Sequence, residues 1–284
     1  MESSGNGKIE WTVSGVTLEL QQDQGSHPTG DAVDVGGGGG DSTGWRMWNS
    51  GMVLSRYLEA NYASVLRPRL TRRGGGPVRV LDLSCGPGLL GLGCAVTAAV
   101  HGMDVEVVLT EMPNSSLDQL NRNVVAVNEQ MTARFGDKYR PARAAALTWG
   151  EPSPALLTGA EDAADAAAAA ASGFDVVLVS DCLFIAVRDY LYTQFLSTMK
   201  YVCLPRDGGA PADLGTQILF AYEVRHSLLV LVGGKYEHGP FHLSCCPAGA
   251  PCLSEQLQWQ HADATRGRLC RSAASWRRRA SSSS

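Results

Sequence analysis

The residues best suited to chemistry lie together in one stretch, Val80-Leu81-Asp82-Leu83-Ser84-Cys85-Gly86-Pro87-Gly88-Leu89-Leu90-Gly91. An apolar run enters a glycine-rich turn, and the turn opens a second apolar run with helical character. Gly86 and Gly88 let the backbone come close to a ligand, and Gly91 lets a helix pack tightly. A Gly-x-Gly-x-x-Gly pattern alone is weak. Set between a strand and a helix, it points to a nucleotide-like ligand. A tight strand-to-helix turn without a ligand is the bland alternative.

Two residues bear on which ligand that is. Asp82 ends the strand, where its charge would oppose a pyrophosphate. Pro87 lacks the N–H that a phosphate-cradling loop would use. Both features argue against NAD. A carboxylate there suits S-adenosylmethionine, which carries a sulfonium and an ammonium. Glu111 ends the next strand, about twenty residues past the loop, where a carboxylate can accept hydrogen bonds from ribose hydroxyls. That role fits either ligand, and an acid at the start of the following helix would explain Glu111 as well.

Two further residues could line such a site. Asp181 follows a buried strand, at the carboxyl edge where open α/β sheets bind ligands. A simple helix-start acid is the competing reading. Trp149 offers a flat apolar face for a purine, as a core tryptophan also would.

The elements that must position these residues are legible as a pattern. Ile9 to Leu20 alternates around Gly15 and reads as a β-hairpin or two short strands. Met52, Val53, Leu54, Tyr57, Leu58, Tyr62 and Val65 recur at helical spacing behind an Asn49 or Ser50 cap. Strands are expected at Val78–Leu83, Val105–Thr110, Ala142–Leu147, Phe174–Val179 and Gln217–Tyr222, and Leu228–Val232 could be another. Helices are expected at Leu89–Val100, Ser115–Asn128 and through Tyr190 to Val202. This alternation predicts an α/β, Rossmann-like, mostly parallel sheet with helices on both faces, an N-terminal β-hairpin and incomplete C-terminal strands.

Three regions follow: residues 1–44, hairpin and glycine-rich linker; 45–225, the ligand-binding domain; and 226–284, a poorly patterned tail expected to be disordered. The alanine run Ala166–Ala171 is assigned no function. The net charge of −4 gives no basic surface for nucleic acid. Eight scattered cysteines without a CxxC pair read as reduced thiols. His238, His242, Cys245 and Cys246 match no standard zinc spacing, so no metal is expected. No signal peptide or span of transmembrane length is read. A cytoplasmic protein is expected, with a nuclear pool as the second expectation, and a monomer.

Several blocks together resemble the lysine methyltransferase-like family of seven-strand S-adenosylmethionine-dependent methyltransferases. They are Trp45 to Leu58, the glycine loop, Leu147-Thr148-Trp149-Gly150, Phe174 to Phe184, and Phe220-Ala221-Tyr222-Glu223-Val224-Arg225. They come in the family's order over about residues 8 to 225. The resemblance implies methylation of a lysine on a non-histone protein of chaperone or translation-factor class. It implies that Trp48 flanks the cofactor pocket and that Asp82, Gly86 and Gly88 form the methionine-side loop. Glu111 would hold the ribose, Trp149 would lie against the adenine, and Asp181 would open an Asp-x-x-Tyr motif beside the substrate lysine. Two positions depart from the pattern: Ser84 replaces the loop's usual first glycine, and Phe184 replaces the tyrosine. The family's last helix and strand pair are not recognisable after Arg225. A small-molecule N-methyltransferase and a catalytically silent cofactor-binding domain are the alternatives.

Overall fold

The computed structural model of this chain describes residues 3–4, 7–22, 46–70, 76–152, 156, 173–203, 215–224 and 227–235. The glycine linker at 36–40, the alanine run, the His/Cys cluster and the terminal arginines lie outside the described residues.

Strands β1 (Ser3–Ser4), β2 (Lys8–Val13) and β3 (Val16–Gln21) form a small antiparallel sheet. Between β2 and β3, Ser14 and Gly15 both take positive φ, at 50° and 74°, as a tight hairpin turn requires. Ile9, Trp11 and Val13 on β2, with Val16, Leu18 and Leu20 on β3, point inward while their neighbours face solvent. This period of two seats the hairpin on helix α1 (Asn49–Val65). The Trp11 indole N–H donates to Ser55 Oγ at 3.3 Å, and the Arg56 guanidinium lies 4.2 Å from the Trp11 ring centre.

The main sheet is built from β4 (Val78–Leu83), β5 (Val105–Glu111), β6 (Arg143–Ala146), β7 (Val176–Ser180), β8 (Gln217–Val224) and β9 (Ser227–Lys235), in the order β6-β5-β4-β7-β8-β9. Five strands run parallel and β9 is antiparallel to β8. Both faces are covered. Val78 and Val80 of β4 pack with the hairpin, α1, α3 (Leu89–Val100) and α4 (Ser115–Phe135). Leu81 and Leu83 face the other way, toward α5 (Cys182–Arg188) and α6 (Tyr192–Val202). A four-residue helix α2 (Arg67–Leu70) follows α1. No helix among the described residues is long and apolar enough to cross a membrane.

Some elements differ from the sequence reading. Helix α4 continues to Phe135 instead of stopping near Asn128, because Met131 extends its buried stripe. The chain leaves it at Gly136, whose φ of 55° and ψ of −136° form a backbone shape that glycine adopts without penalty. Tyr190, at φ of 57°, separates α5 from α6. The cap of α1 is Trp48, not Asn49 or Ser50. Strand β9 contains Leu228–Val232, the further strand the sequence allowed, and carries the sheet past Arg225.

Candidate active site

The chain leaves β4 through β5 and β6 on one side and returns to β7 and β8 on the other. The order reverses between β4 and β7, and the carboxyl ends of the strands at such a switch point are the usual ligand position in open α/β sheets. Asp82, Ser84, Gly86, Glu111, Ser180 and Asp181 all come from these strand ends.

Ser84, Gly86 and Gly88 take positive φ, at 52°, 56° and 88°. The φ of 88° at Gly88 strains any side chain, and a Cβ there would also press on Leu120 Cδ1 at 2.7 Å, so glycine suits this turn. Thr110 ties the loop to β5. Its Oγ1 accepts from Ser84 N–H at 3.2 Å and donates to the Asp82 carbonyl at 3.1 Å, and its carbonyl accepts from Cys85 N–H at 2.9 Å. Glu111 accepts from Gly86 N–H on Oε2 at 2.9 Å and from Met112 N–H on Oε1 at 3.0 Å.

Asp82 is fully buried beneath the first turn of α3. Its Oδ2 accepts from Gly91 N–H at 2.7 Å, while Oδ1 has no hydrogen-bond partner among the described residues. Burial pushes its carboxyl up to about 7; the Gly91 hydrogen bond opposes the rise, and the nearby Glu111 charge adds to it. Asp82 therefore holds the loop from beneath. The orphaned oxygen favours a cation nearby, since a positive ligand offsets the cost of a buried carboxylate. The residues present thus fit a cofactor with a sulfonium and an ammonium better than a pyrophosphate. Cys85 in the loop is unsuited to nucleophilic work, because burial, then Asp82 and Glu111, push its thiol well above the ordinary range.

Trp149 is fixed at the same edge. Its indole N–H donates to Ser84 Oγ at 2.9 Å, and its ring meets Phe195 edge-on at 5.1 Å. Gly150 N–H donates to Thr198 Oγ1 at 2.8 Å. Trp48 is partly exposed at the N-cap of α1. Asp181 stands at the end of β7 with φ of 55°, and Phe184 is half-buried one turn further on. The Cys182 thiol donates to the Leu83 carbonyl at 3.2 Å, joining the start of α5 to the strand that feeds the glycine loop.

Hydrogen bonds thus join Ser84 to Trp149 and Gly86 to Glu111, and Asp82 lies under the same turn. Trp48 and Asp181 belong to the neighbouring α1–β7 corner. Sequence reasoning missed three residues. Asn123 of α4 donates from Nδ2 to the carbonyls of Pro87 and Gln21, both at 2.9 Å, and accepts from Gln21 N–H at 2.8 Å. It binds the hairpin to the glycine loop. Its signal was a polar residue inside the stripe Leu120, Val124, Val127. Ser50 and Ser180 form the third contact at this edge: Ser50 Oγ donates to Asp181 Oδ2 and lies 2.7 Å from Ser180 Oγ. Nothing in the local sequence distinguished Ser50 from a helix cap.

A glycine loop at the switch point of a mostly parallel sheet, carrying two strand-end carboxylates, defines the class of S-adenosylmethionine-dependent methyltransferases. Residues 30–227 match the lysine methyltransferase family, and the chain belongs to it. Its cofactor is S-adenosylmethionine. Among solved structures, the chain is similar to the CMeT domain of the citrinin polyketide synthase at 18% identity, covering 60% of this chain and 38% of that one, with a TM-score of 0.30. It is also similar to a putative protein-L-isoaspartate O-methyltransferase from Plasmodium falciparum in complex with S-adenosyl-L-homocysteine. There identity is 10%, coverage 64% and 65%, and TM-score 0.30. A mutant of MtNAS in complex with S-adenosylmethionine gives 14%, 60% and 48%, with a TM-score of 0.26. The chain spans less than two thirds of each of these three structures. No curated protein matches the chain.

Proposed function

We propose that this methyltransferase acts on a lysine side chain of a folded non-histone protein, of chaperone or translation-factor class. One observation carries the reading: an anion and an aromatic ring, Asp181 and Phe184, follow one another by a single helical turn at the carboxyl end of β7. That strand is the immediate neighbour of β4, which delivers the cofactor loop. A carboxylate and a ring face together suit a lysine ammonium.

Bound S-adenosylmethionine supplies the electrophilic methyl group on its sulfonium. The chain's own residues do the rest by placement. Asp181 orients the incoming ammonium by charge and hydrogen bonding, and Phe184 lines the channel. The amine loses its proton to water before it attacks, so no strong base is needed. Holding the neutral nitrogen in line with the methyl carbon is the larger share of the catalysis. Glu111, Ser84 and Trp149 serve the cofactor side.

The test is transfer of a radiolabelled methyl group into a cell lysate by the full chain and by Asp181→Ala, with acid hydrolysis of the labelled band. Methyl-lysine in protein, lost with Asp181→Ala while cofactor affinity is kept, is the expected result. Label in a small metabolite or in arginine overturns the lysine reading. Cofactor binding without any label indicates a silent domain.

A further inference from the structure

We infer that Ser50 is a positioning residue for Asp181, acting through a hydroxyl chain that runs from Ser180 through Ser50 to the Asp181 carboxylate. The inference rests on the substrate-side role proposed for Asp181.

Asp181 immediately precedes α5, where an aspartate would ordinarily turn its carboxylate onto the first free N–H groups of the helix. Here it makes no side-chain cap bond. Its backbone is left-handed, not the extended form that N-caps adopt. A residue 131 positions away in sequence bonds its carboxylate where a cap would bond the helix. Ser50 is fully buried in the first turn of α1 and donates its only hydroxyl proton to Asp181 Oδ2. An ionised carboxylate only accepts. The second contact, Ser180 Oγ to Ser50 Oγ at 2.7 Å, must then have Ser180 as the donor. Ser180 orients Ser50, and Ser50 orients Asp181.

The adjoining residue shows that this approach is close. A side chain at Gly51 would begin 3.3 Å from Ser180 Oγ, tighter than ordinary contact. Glycine there lets the start of α1 come up against the end of β7. A buried serine with both its donor and its acceptor capacity used on one carboxylate and one neighbouring hydroxyl has little packing purpose, since alanine would fill the same space without a polar group to satisfy. Its effect is to fix the direction of the Asp181 carboxylate. Small misplacements of a positioning group cost turnover much more than ground-state affinity for a cofactor bound elsewhere.

The experiment uses the full chain and a kinetic double-mutant cycle. Ser50→Ala should lower kcat by about ten- to a hundredfold, with S-adenosylmethionine affinity by calorimetry within about twofold of wild type. In an Asp181→Asn background the same change should cost less than about twofold, because the group it positions has lost its charge. Equal losses in both backgrounds, or an unchanged kcat in Ser50→Ala, overturn the proposal. If Ser50→Ala does not fold, Ser180→Ala removes only the donor to Ser50 and should give a smaller kcat loss of the same selective kind; a loss of cofactor affinity alone counts against it. The crystal structure of either variant decides the point without any activity. An Asp181 carboxylate turned away from its wild-type direction supports the proposal, and one that keeps it overturns the proposal. A wild-type chain that labels no lysine refutes the proposed substrate while leaving this structural readout intact.

Discussion

The Trp149 indole N–H reaches across to the hydroxyl of Ser84 at 2.9 Å, and the residue that receives it sits at a positive φ of 52°. Glycine would adopt that backbone without penalty. Serine accepts a left-handed conformation costing about 1–2 kcal/mol and gains a hydrogen bond worth about 0.5–1.5 kcal/mol. Ser84→Ala keeps the strained backbone and loses the bond, and should lower stability by about 1 kcal/mol. Ser84→Gly relieves the strain and should stay within about 1 kcal/mol of wild type. Both should speed exchange of the Trp149 indole N–H and weaken S-adenosylhomocysteine binding. Urea unfolding, NMR of the indole protons and calorimetry check this. An indole proton that exchanges as in wild type in both variants would remove the role given to Ser84.

Asp82 should make the protein less stable as pH rises. Its carboxyl is raised to about 7 in the folded chain, against about 4 when unfolded. Between these values the native state holds a proton that the unfolded state has released. Stability therefore falls from about pH 4 through about pH 7 and levels off above. Asp82→Asn should flatten that slope. Binding of S-adenosylmethionine should have the opposite trend. A cation near Asp82 favours the ionised form, so affinity rises through pH 7 with release of a proton, and less so for S-adenosylhomocysteine, which lacks the sulfonium. Urea midpoints and calorimetry at pH 5, 6.5 and 8 test both slopes. Parallel wild-type and Asp82→Asn curves would show that Asp82 does not titrate in this range.

Glu111→Ala should weaken cofactor binding by about 1–3 kcal/mol. The loss has two parts. The charge-assisted bonds proposed between Glu111 and the ligand would disappear, and the N–H groups of Gly86 and Met112 lose the acceptors they now use. Glu111→Gln keeps an acceptor for only one of them and should fall between. Calorimetry that finds Glu111→Ala binding as wild type would contradict the assignment.

Asn123→Ala should cost about 1–3 kcal/mol of stability, because the buried carbonyl of Pro87 is left without this donor. It should also loosen the hairpin, whose last strand residue Gln21 bonds Asn123 in both directions. Hydrogen exchange should rise in β3 and in the glycine loop together. A rise in β3 alone would mean that the hairpin does not support the loop.

What the sequence revealed follows from the range of the forces involved. Strands β4, β5 and β7 are short apolar runs bounded by turns, and helix α3 falls at Leu89–Val100 as the pattern predicts. Such local periodicity is set by burial and survives in one dimension. The glycine loop is legible because left-handed backbone at Gly86 and Gly88 restricts residue type. Pairings between distant elements leave no such trace. Ser50 meets Asp181 only because α1 packs its first turn against the end of β7, and by pattern Ser50 looks like a cap. Strand β9 is legible only over Leu228–Val232, because its glycines, Gly233 and Gly234, fall at the irregular end of the pairing with β8, where the register shifts between Ile218 and Leu219.

Phe184→Tyr should raise methyl transfer. Phe184 lies one turn after Asp181 and is half-buried at the site edge. Its ring can contact a lysine ammonium, an interaction worth about 0.5–2 kcal/mol according to how far it is desolvated. What the phenylalanine lacks is a hydroxyl that could hydrogen-bond the amine, worth about 0.5–1.5 kcal/mol. Restoring it should therefore increase the rate by about two- to tenfold, with S-adenosylmethionine affinity unchanged, because Phe184 belongs to α5 and not to the glycine loop or β5. Phe184→Leu, which removes the ring and keeps an apolar side chain of smaller volume, should lower the rate below wild type. Lysate methylation with the three chains, scored as methyl-lysine after acid hydrolysis, gives the order tyrosine, phenylalanine, leucine if the ring contacts the cation and the hydroxyl adds to it. Equal rates in all three would remove Phe184 from the proposed substrate side and leave the proposed role of Asp181 standing alone.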